Sequence, residues 1–315
     1  MIPQSGIDVI RLTLFPFFFN HLTFRDKKHV NPHNTITIHK AGMFYTLEIH
    51  IEYFDLMEDF YTVIARAIYD LIYGDFIFFP LYDGVIDFIK NNINWFVLCI
   101  HEVEFYFNLL RKSVIVNEDA VERNELIQFK ENGIGQYSYY SNDYRAAERR
   151  NKKTGKISRN IKRHSLIHLY DKKAKNLKDN HINHEELEKD KHEIRLEFKL
   201  FRDNCKFLSL ENFNGNFYKI LSRFNPLLAI IYNQKVLGKI QIKGKKNKEL
   251  ANVIRISKTI GTRYTNRNKI LSPTSAIPEH VRRNNRVMIK QDILEQGYND
   301  NETPSIIKDH IKNMI

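Results

Sequence analysis

Two runs of alternating residues, Ser165–Tyr170 and His192–Leu200, constrain this chain more than any other stretch. In the first, Ile167 and Leu169 point one way while His168 and Tyr170 point the other. In the second, Ile194, Leu196, Phe198 and Leu200 form one side, with Glu193, Arg195, Glu197 and Lys199 opposite. A period of two is a strand period, and an antiparallel sheet can bury one face while leaving the other open to a flat, charged ligand. A tyrosine, a histidine, carboxylates and cations on one sheet face have the chemistry to cut a phosphodiester. The same residues could equally be ordinary solvent-facing side chains.

The flanking sequence supplies more of the same sheet. Residues 7–14 alternate as a strand; Asn34–His39 and Phe44–Phe54 flank the turn Lys40-Ala-Gly-Met43 and read as a hairpin. In its longer arm Tyr45, Leu47, Ile49, Ile51 and Tyr53 share a face, and Glu48, His50 and Glu52 take the other, a second group of histidine and carboxylates. Leu56–Ile72 switches to helical period and Val85–Ile93 is a shorter helix. Phe96–Phe107 returns to extended character, with Val103, Phe105 and Phe107 opposite Glu102, Glu104 and Tyr106. The expected fold is α+β, a mostly antiparallel sheet with helices on one face.

After Leu200 the chain turns mainly helical. Helices are expected over Phe207–Tyr232, broken at Pro226, over Lys248–Ile260 and over Glu279–Leu294, with a basic strand-like stretch at Lys235–Lys246. The division that follows is residues 1–205 and a C-terminal region, 206–315, suited to DNA binding or dimerisation.

The chain has 315 residues, 43% of them hydrophobic, which is enough for a sizeable core and too rich for disorder. Its 49 basic and 37 acidic residues leave a net charge of +12, a balance that points first to nucleic acid. The densest basic run, Arg145–Arg163, holds Arg149, Arg150, Lys152, Lys153, Lys156, Arg159, Lys162 and Arg163, and reads as a phosphate-contacting arm on a polar connector. A second connector, Lys172–Lys191, contains His181 and His184 and reads as a surface loop. Cys99 and Cys205 form no metal-spacing motif, which favours a reduced, cytoplasmic setting. No secretory signal or membrane span is expected, because Asp87, Lys90, Glu102 and Glu104 interrupt the apolar stretch 84–110.

Three segments in order carry a family resemblance: Tyr139-Tyr-Ser-Asn-Asp143, then Ser165-Leu-Ile-His-Leu-Tyr-Asp-Lys172, then Ile194-Arg-Leu-Glu197. The trio resembles that of rolling-circle replication initiators of the Rep_trans type, and Gly6-Ile-Asp-Val-Ile-Arg-Leu12 is similar to the opening strand of filamentous-phage replication proteins. Glu102-Val-Glu-Phe-Tyr-Phe-Asn108 is similar to the family's acidic strand, with Glu104 at the first acidic place, Asn108 at the second and Glu102 where arginine is usual. The His-apolar-His pair of the wider HUH endonucleases is absent.

The resemblance implies an HUH-like nuclease core that nicks and rejoins one DNA strand at a replication origin, with Mg²⁺ or Mn²⁺ as cofactor. The partners it implies are double-strand origin DNA, single-stranded DNA, a host helicase and a second copy of the chain. Such an enzyme needs a nucleophile that stays attached to the cut strand, and a tyrosine serves. A free phenol titrates near pH 10, so ionising it at neutrality costs about 4 kcal/mol, which a divalent cation on the scissile phosphate can offset. On this reading Tyr170 is the nucleophile, Glu104 and Glu197 are metal ligands, His168 is a further ligand or proton acceptor, and Lys172 with Arg195 clamps the phosphate. From the residues alone Tyr170 could instead pack its ring at a strand end, and Arg195 with Glu197 could form a cross-strand ion pair. A non-catalytic DNA-binding protein of the same fold is the alternative.

Overall fold

The computed structural model describes residues 4–15, 28–29, 36–41, 44–51, 57–73, 82–123, 125–129, 138–141, 146–150, 157–161, 165–172, 194–202, 208–243 and 247–258. Its strands are β1 (Ser5–Leu14), β2 (Lys28–His29), β3 (Ile36–Ala41), β4 (Phe44–His50), β5 (Val97–Leu109), β6 (Val114–Val116) and β7 (Leu126–Phe129). They continue as β8 (Ser138–Ser141), β9 (Ala146–Arg150), β10 (Ile157–Ile161), β11 (Ser165–Asp171), β12 (Ile194–Phe201) and β13 (Ile240–Ile242). The helices are α1 (Phe60–Tyr73), α2 (Tyr82–Asn91), the single turn α3 (Ile93–Phe96), α4 (Glu118–Glu122), α5 (Phe217–Ile231) and α6 (248–258).

Nine strands form one sheet in the order β2-β3-β4-β1-β5-β12-β11-β8-β7. Every pair in it is antiparallel. The two alternating runs of β11 and β12 are neighbours, with Tyr170 opposite Arg195 and His168 opposite Glu197. On the far side of β12, Arg195 stands opposite Asn108 and Lys199 opposite Glu104. The apolar face carries Leu12, Phe105, Phe107, Leu196, Phe198 and Leu200, each almost completely buried. Helices cover that face, as the sequence pattern expects: α1, α5 and α6 contribute Ile64, Phe224 and Leu250 to the same hydrophobic cluster. The Phe105 and Phe224 rings lie 4.9 Å apart, so residues beyond 205 share the sheet's core.

Local chemistry fixes the helix ends. Asp59 caps α1 by accepting from the Thr62 amide at 3.1 Å, accepts from the Gly215 amide at 3.2 Å, and pairs with Lys90 of α2 at 3.2 Å. Gly215 has φ of 113°, a conformation a side chain would strain. Asn216 caps α5 through the Lys219 amide.

Four expectations change. Helix α5 begins at Phe217 and runs unbroken through Pro226, after a 3₁₀ turn at Leu210–Phe213. Proline removes one backbone donor, but burial of Phe224, Leu227 and Leu228 around it holds the helix together. The strand-like stretch at 235–246 narrows to β13, which pairs with β6 in a separate ribbon. The basic connector is a hairpin over part of its length: β9 pairs with β10, setting Glu148 opposite Arg159. Finally, β5 extends past Phe107 to Leu109. The second connector, Cys205 and the helix expected at Glu279–Leu294 lie outside the described residues. Among the described residues, no helix is long and apolar enough to cross a membrane.

Candidate active site

Strands β1, β4, β5, β12 and β11 put their polar residues on the face opposite the helices. The centre of that face is Glu197 of β12. It accepts a hydrogen bond from the Tyr170 hydroxyl at 2.5 Å, and its other oxygen lies 3.4 Å from His168 Nδ1. The His168 and Tyr170 rings sit side by side, 4.4 Å between centroids. Tyr170 is only 5% exposed, and burial followed by the charge of Glu197 pushes its phenol well above the ordinary value of 10. In this arrangement Tyr170 is therefore a neutral donor, and Glu197 is the group placed to receive its proton.

Glu104 of β5 and Asp8 of β1 complete a cluster: one oxygen from each of Asp8, Glu104 and Glu197 lies within 4.8 Å of the others. Three carboxylates this close could hold a metal ion, and their hard oxygen donors suit magnesium or manganese. Burial, partly countered by Lys199 and reinforced by Glu197, pushes Glu104 up to about 7. Its carboxyl group sits where a full negative charge is costly even beside Lys199.

Asp8 is the site residue that sequence alternation hides. Ile10, Leu12 and Leu14 are core residues, and strict alternation would turn Asp8 inward with them. Instead the register of β1 against β5 slips between Ile7 and Val9, pairing Ile7 with Phe105 and Val9 with Glu104. The extra residue in this bulge is Asp8, whose carboxylate is thereby re-aimed at the polar face. An aspartate out of phase with an otherwise apolar set was the available signal.

Cations already engage these acids. The Arg195 guanidinium donates to Asn108 Oδ1 at 3.0 Å and Asp8 Oδ1 at 3.1 Å, and lies 4.3 Å from the Tyr106 ring centroid. Burial acts to lower its pKa, but the negative charges of Asp8 and Glu197 outweigh it and hold the guanidinium above the ordinary arginine value. Lys199 bridges Glu104 and Glu102, and Arg11 bonds Glu102 and Glu48, the latter at 2.6 Å. His50 Nε2 lies 2.5 Å from the second Glu48 oxygen; that bond is the main cause holding Glu48 down at about 2, and Glu48 in turn raises His50.

The structure thus brings together Tyr170, His168, Glu197, Glu104 and Arg195, and adds Asp8, Lys199 and Arg11. Lys172, one residue beyond β11, is 6% exposed, so it presents little charge to solvent. Of the basic arm, Arg149 and Arg150 lie on β9 and Arg159 on β10, while Lys152, Lys153, Lys156, Lys162 and Arg163 lie outside the described residues. Comparison of the chain with protein-family models, curated proteins and solved structures finds no match.

Proposed function

We propose that the chain is a rolling-circle replication initiator: a metal-dependent enzyme with an HUH-like core that nicks and rejoins DNA at an origin through Tyr170. The observation that carries this reading is the shared carboxylate. Glu197 accepts the hydrogen bond of a tyrosine hydroxyl and is also one of three acids able to hold a cation. A nucleophile, its base and a metal site converge on one side chain, which an unspecialised polar face has no reason to build.

The chemistry balances simply. Tyr170 Oη forms a bond to phosphorus, its proton passes to Glu197, and the P–O3′ bond breaks. The strand stays linked to the enzyme as a 5′-phosphotyrosine, and the departing 3′-oxygen takes up a proton, with His168 beside Glu197 the nearest imidazole among the described residues. Mg²⁺ or Mn²⁺ held by Asp8, Glu104 and Glu197 would supply charge stabilisation on the phosphate and the leaving oxygen. Arg195 and Lys199 are the cations closest to those acids. The reading makes double-strand origin DNA and the exposed single strand its substrates, with a helicase and a second copy of the chain as partners.

Two observations favour the second reading, a DNA-binding protein without nicking activity: Tyr170 is buried, and Arg195 and Lys199 already form ion pairs with Asp8 and Glu104. The test is a supercoiled plasmid carrying the chain's own gene and flanking DNA, incubated with Mn²⁺. Relaxation and a covalent protein–DNA adduct are expected from the wild type and neither from Tyr170→Phe. An adduct undiminished by that substitution, or none from the wild type, removes the assignment.

A further inference from the structure

Trp95, the chain's only tryptophan, and Phe88 are the two most exposed aromatic side chains among the described residues, at 58% and 51%. Their rings meet edge to face, 6.0 Å between centroids and 75° between planes. The helical period sets them there: Ile86, Ile89, Ile93 and Phe96 are buried and anchor α2 and α3 on the core, which turns Phe88 and Trp95 outward. The Asn92 amide and side chain both donate to the Phe88 carbonyl, at 3.1 and 2.8 Å, and the Trp95 amide donates to the Asn92 carbonyl at 2.8 Å. Lys90, also on α2, is tied to Asp59 at 3.2 Å. Two large rings are thus held firmly in water, where burial gives them little.

The neighbours of the pair narrow the chemistry it suits. Among the described residues of α2 and α3, the other exposed side chains are Asp87, Asn91 and Asn94. Asn91 follows Phe88 by three positions, which puts it on the same helix face. Neither asparagine has a hydrogen-bond partner among the described residues. A protein or lipid surface that sealed the rings would bury unsatisfied amides with them, at a cost. A nucleobase avoids that cost, because its face stacks on an aromatic ring while its edge pairs with amide donors and acceptors. Asp87, beside Phe88, repels a phosphate, so the base and not the backbone is the group that fits. The net charge of +12 brings such a polyanion to the molecule.

We propose that Phe88 and Trp95 form a stacking platform for an unpaired base of single-stranded DNA. The inference rests on the DNA-binding part of the proposed function and not on cleavage. Trp95 stands just before β5, and Glu104 lies about 20 Å along that strand, so a base on the platform and a phosphate at the acidic cluster belong to different nucleotides. Full-length protein in chelator is titrated with oligothymidylate and with an abasic strand of equal length. Trp95 emission should be quenched by the thymine strand and not by the abasic one, a readout that needs no substitution. By anisotropy of fluorescein-labelled strands, Trp95→Ala and Phe88→Ala should each weaken binding of the thymine strand about 5- to 100-fold, the range of one lost stack. Trp95→Phe should restore most of that loss, and the abasic strand should bind wild type and variants alike. Equal quenching by both strands, or undiminished affinity in both alanine variants, overturns the platform. So does an emission that shifts with phosphatidylserine vesicles, or with protein concentration in the absence of DNA, but not with the thymine strand. A covalent adduct without base-dependent quenching removes the platform and keeps the nicking reading; quenching without an adduct does the reverse.

Discussion

At the scale of single residues, Glu197 carries the most roles in the proposed mechanism and gives the sharpest substitution. Glu197→Gln keeps a carbonyl oxygen to accept the Tyr170 hydroxyl but cannot take its proton. Adduct formation should fall by about 10²–10⁴, the range of general base catalysis, while circular dichroism stays native. Equal activity in the variant would show that the proton leaves by another path. Glu104 gives a separate prediction in pH. Its carboxyl is raised from 4.5 to about 7, so the folded chain keeps a proton that the unfolded chain releases. Stability from this group is present below about 4.5 and is lost as pH rises to about 7. His50, raised by Glu48, acts in the same direction, whereas Glu48, lowered to about 2, loses its contribution only as pH falls from 4.5 toward that value. Thermal midpoints in chelator should therefore decline between pH 5 and pH 7, and Glu104→Gln should flatten the decline. A midpoint that rises over that window in the wild type contradicts the burial of Glu104.

At the scale of elements, the covering layer depends on α5. Phe224 is completely buried between Phe105 of β5 and Phe213, with ring centroids at 4.9 and 5.2 Å. Phe224→Ala should cost about 3–5 kcal/mol, seen as a lower urea midpoint with unchanged slope. A cost below 1 kcal/mol would mean that the helix does not seal the sheet there. These elements were largely legible in the sequence because a period of two or of 3.6 is the direct imprint of one-sided burial: β11, β12, β4, α1 and the polar row of β5 all show it. Tyr170, His168, Glu197 and Glu104 could each be placed on the polar side of its own strand for the same reason. Asp8 could not, since a bulge is one extra residue in a register between strands some ninety residues apart. Nor could the partners of Arg195 and Lys199, since pairing across β12 depends on which strand lies beyond it. Hairpin β9–β10 leaves no such imprint, because its residues have no apolar alternation to display.

At the scale of the whole molecule, charge is distributed unevenly. The chain carries +12, but the polar face sets five carboxylates (Asp8, Glu48, Glu102, Glu104, Glu197) against Arg11, Arg195 and Lys199. Acids exceed bases there even though Glu104, raised to about 7, is partly protonated at neutrality. A divalent cation and one phosphodiester together add a single positive charge, which offsets that excess in part. On the proposed reading that centre would repel DNA alone and accept it with metal, while the basic remainder of the chain would attract it from a distance. Binding of an ion to the folded chain alone must also raise global stability, by about 2.7 kcal/mol at a hundred times the dissociation constant. Mn²⁺ or Mg²⁺ added to chelator-treated protein without DNA should therefore raise the thermal midpoint in a concentration-dependent way. Asp8→Asn should remove the shift even though the amide keeps an oxygen for Arg195 to bond, because one of the three anionic ligands is gone. If that variant responds to Mn²⁺ as the wild type does, the bulge at Asp8 serves the Arg195 ion pair and the metal site lies elsewhere.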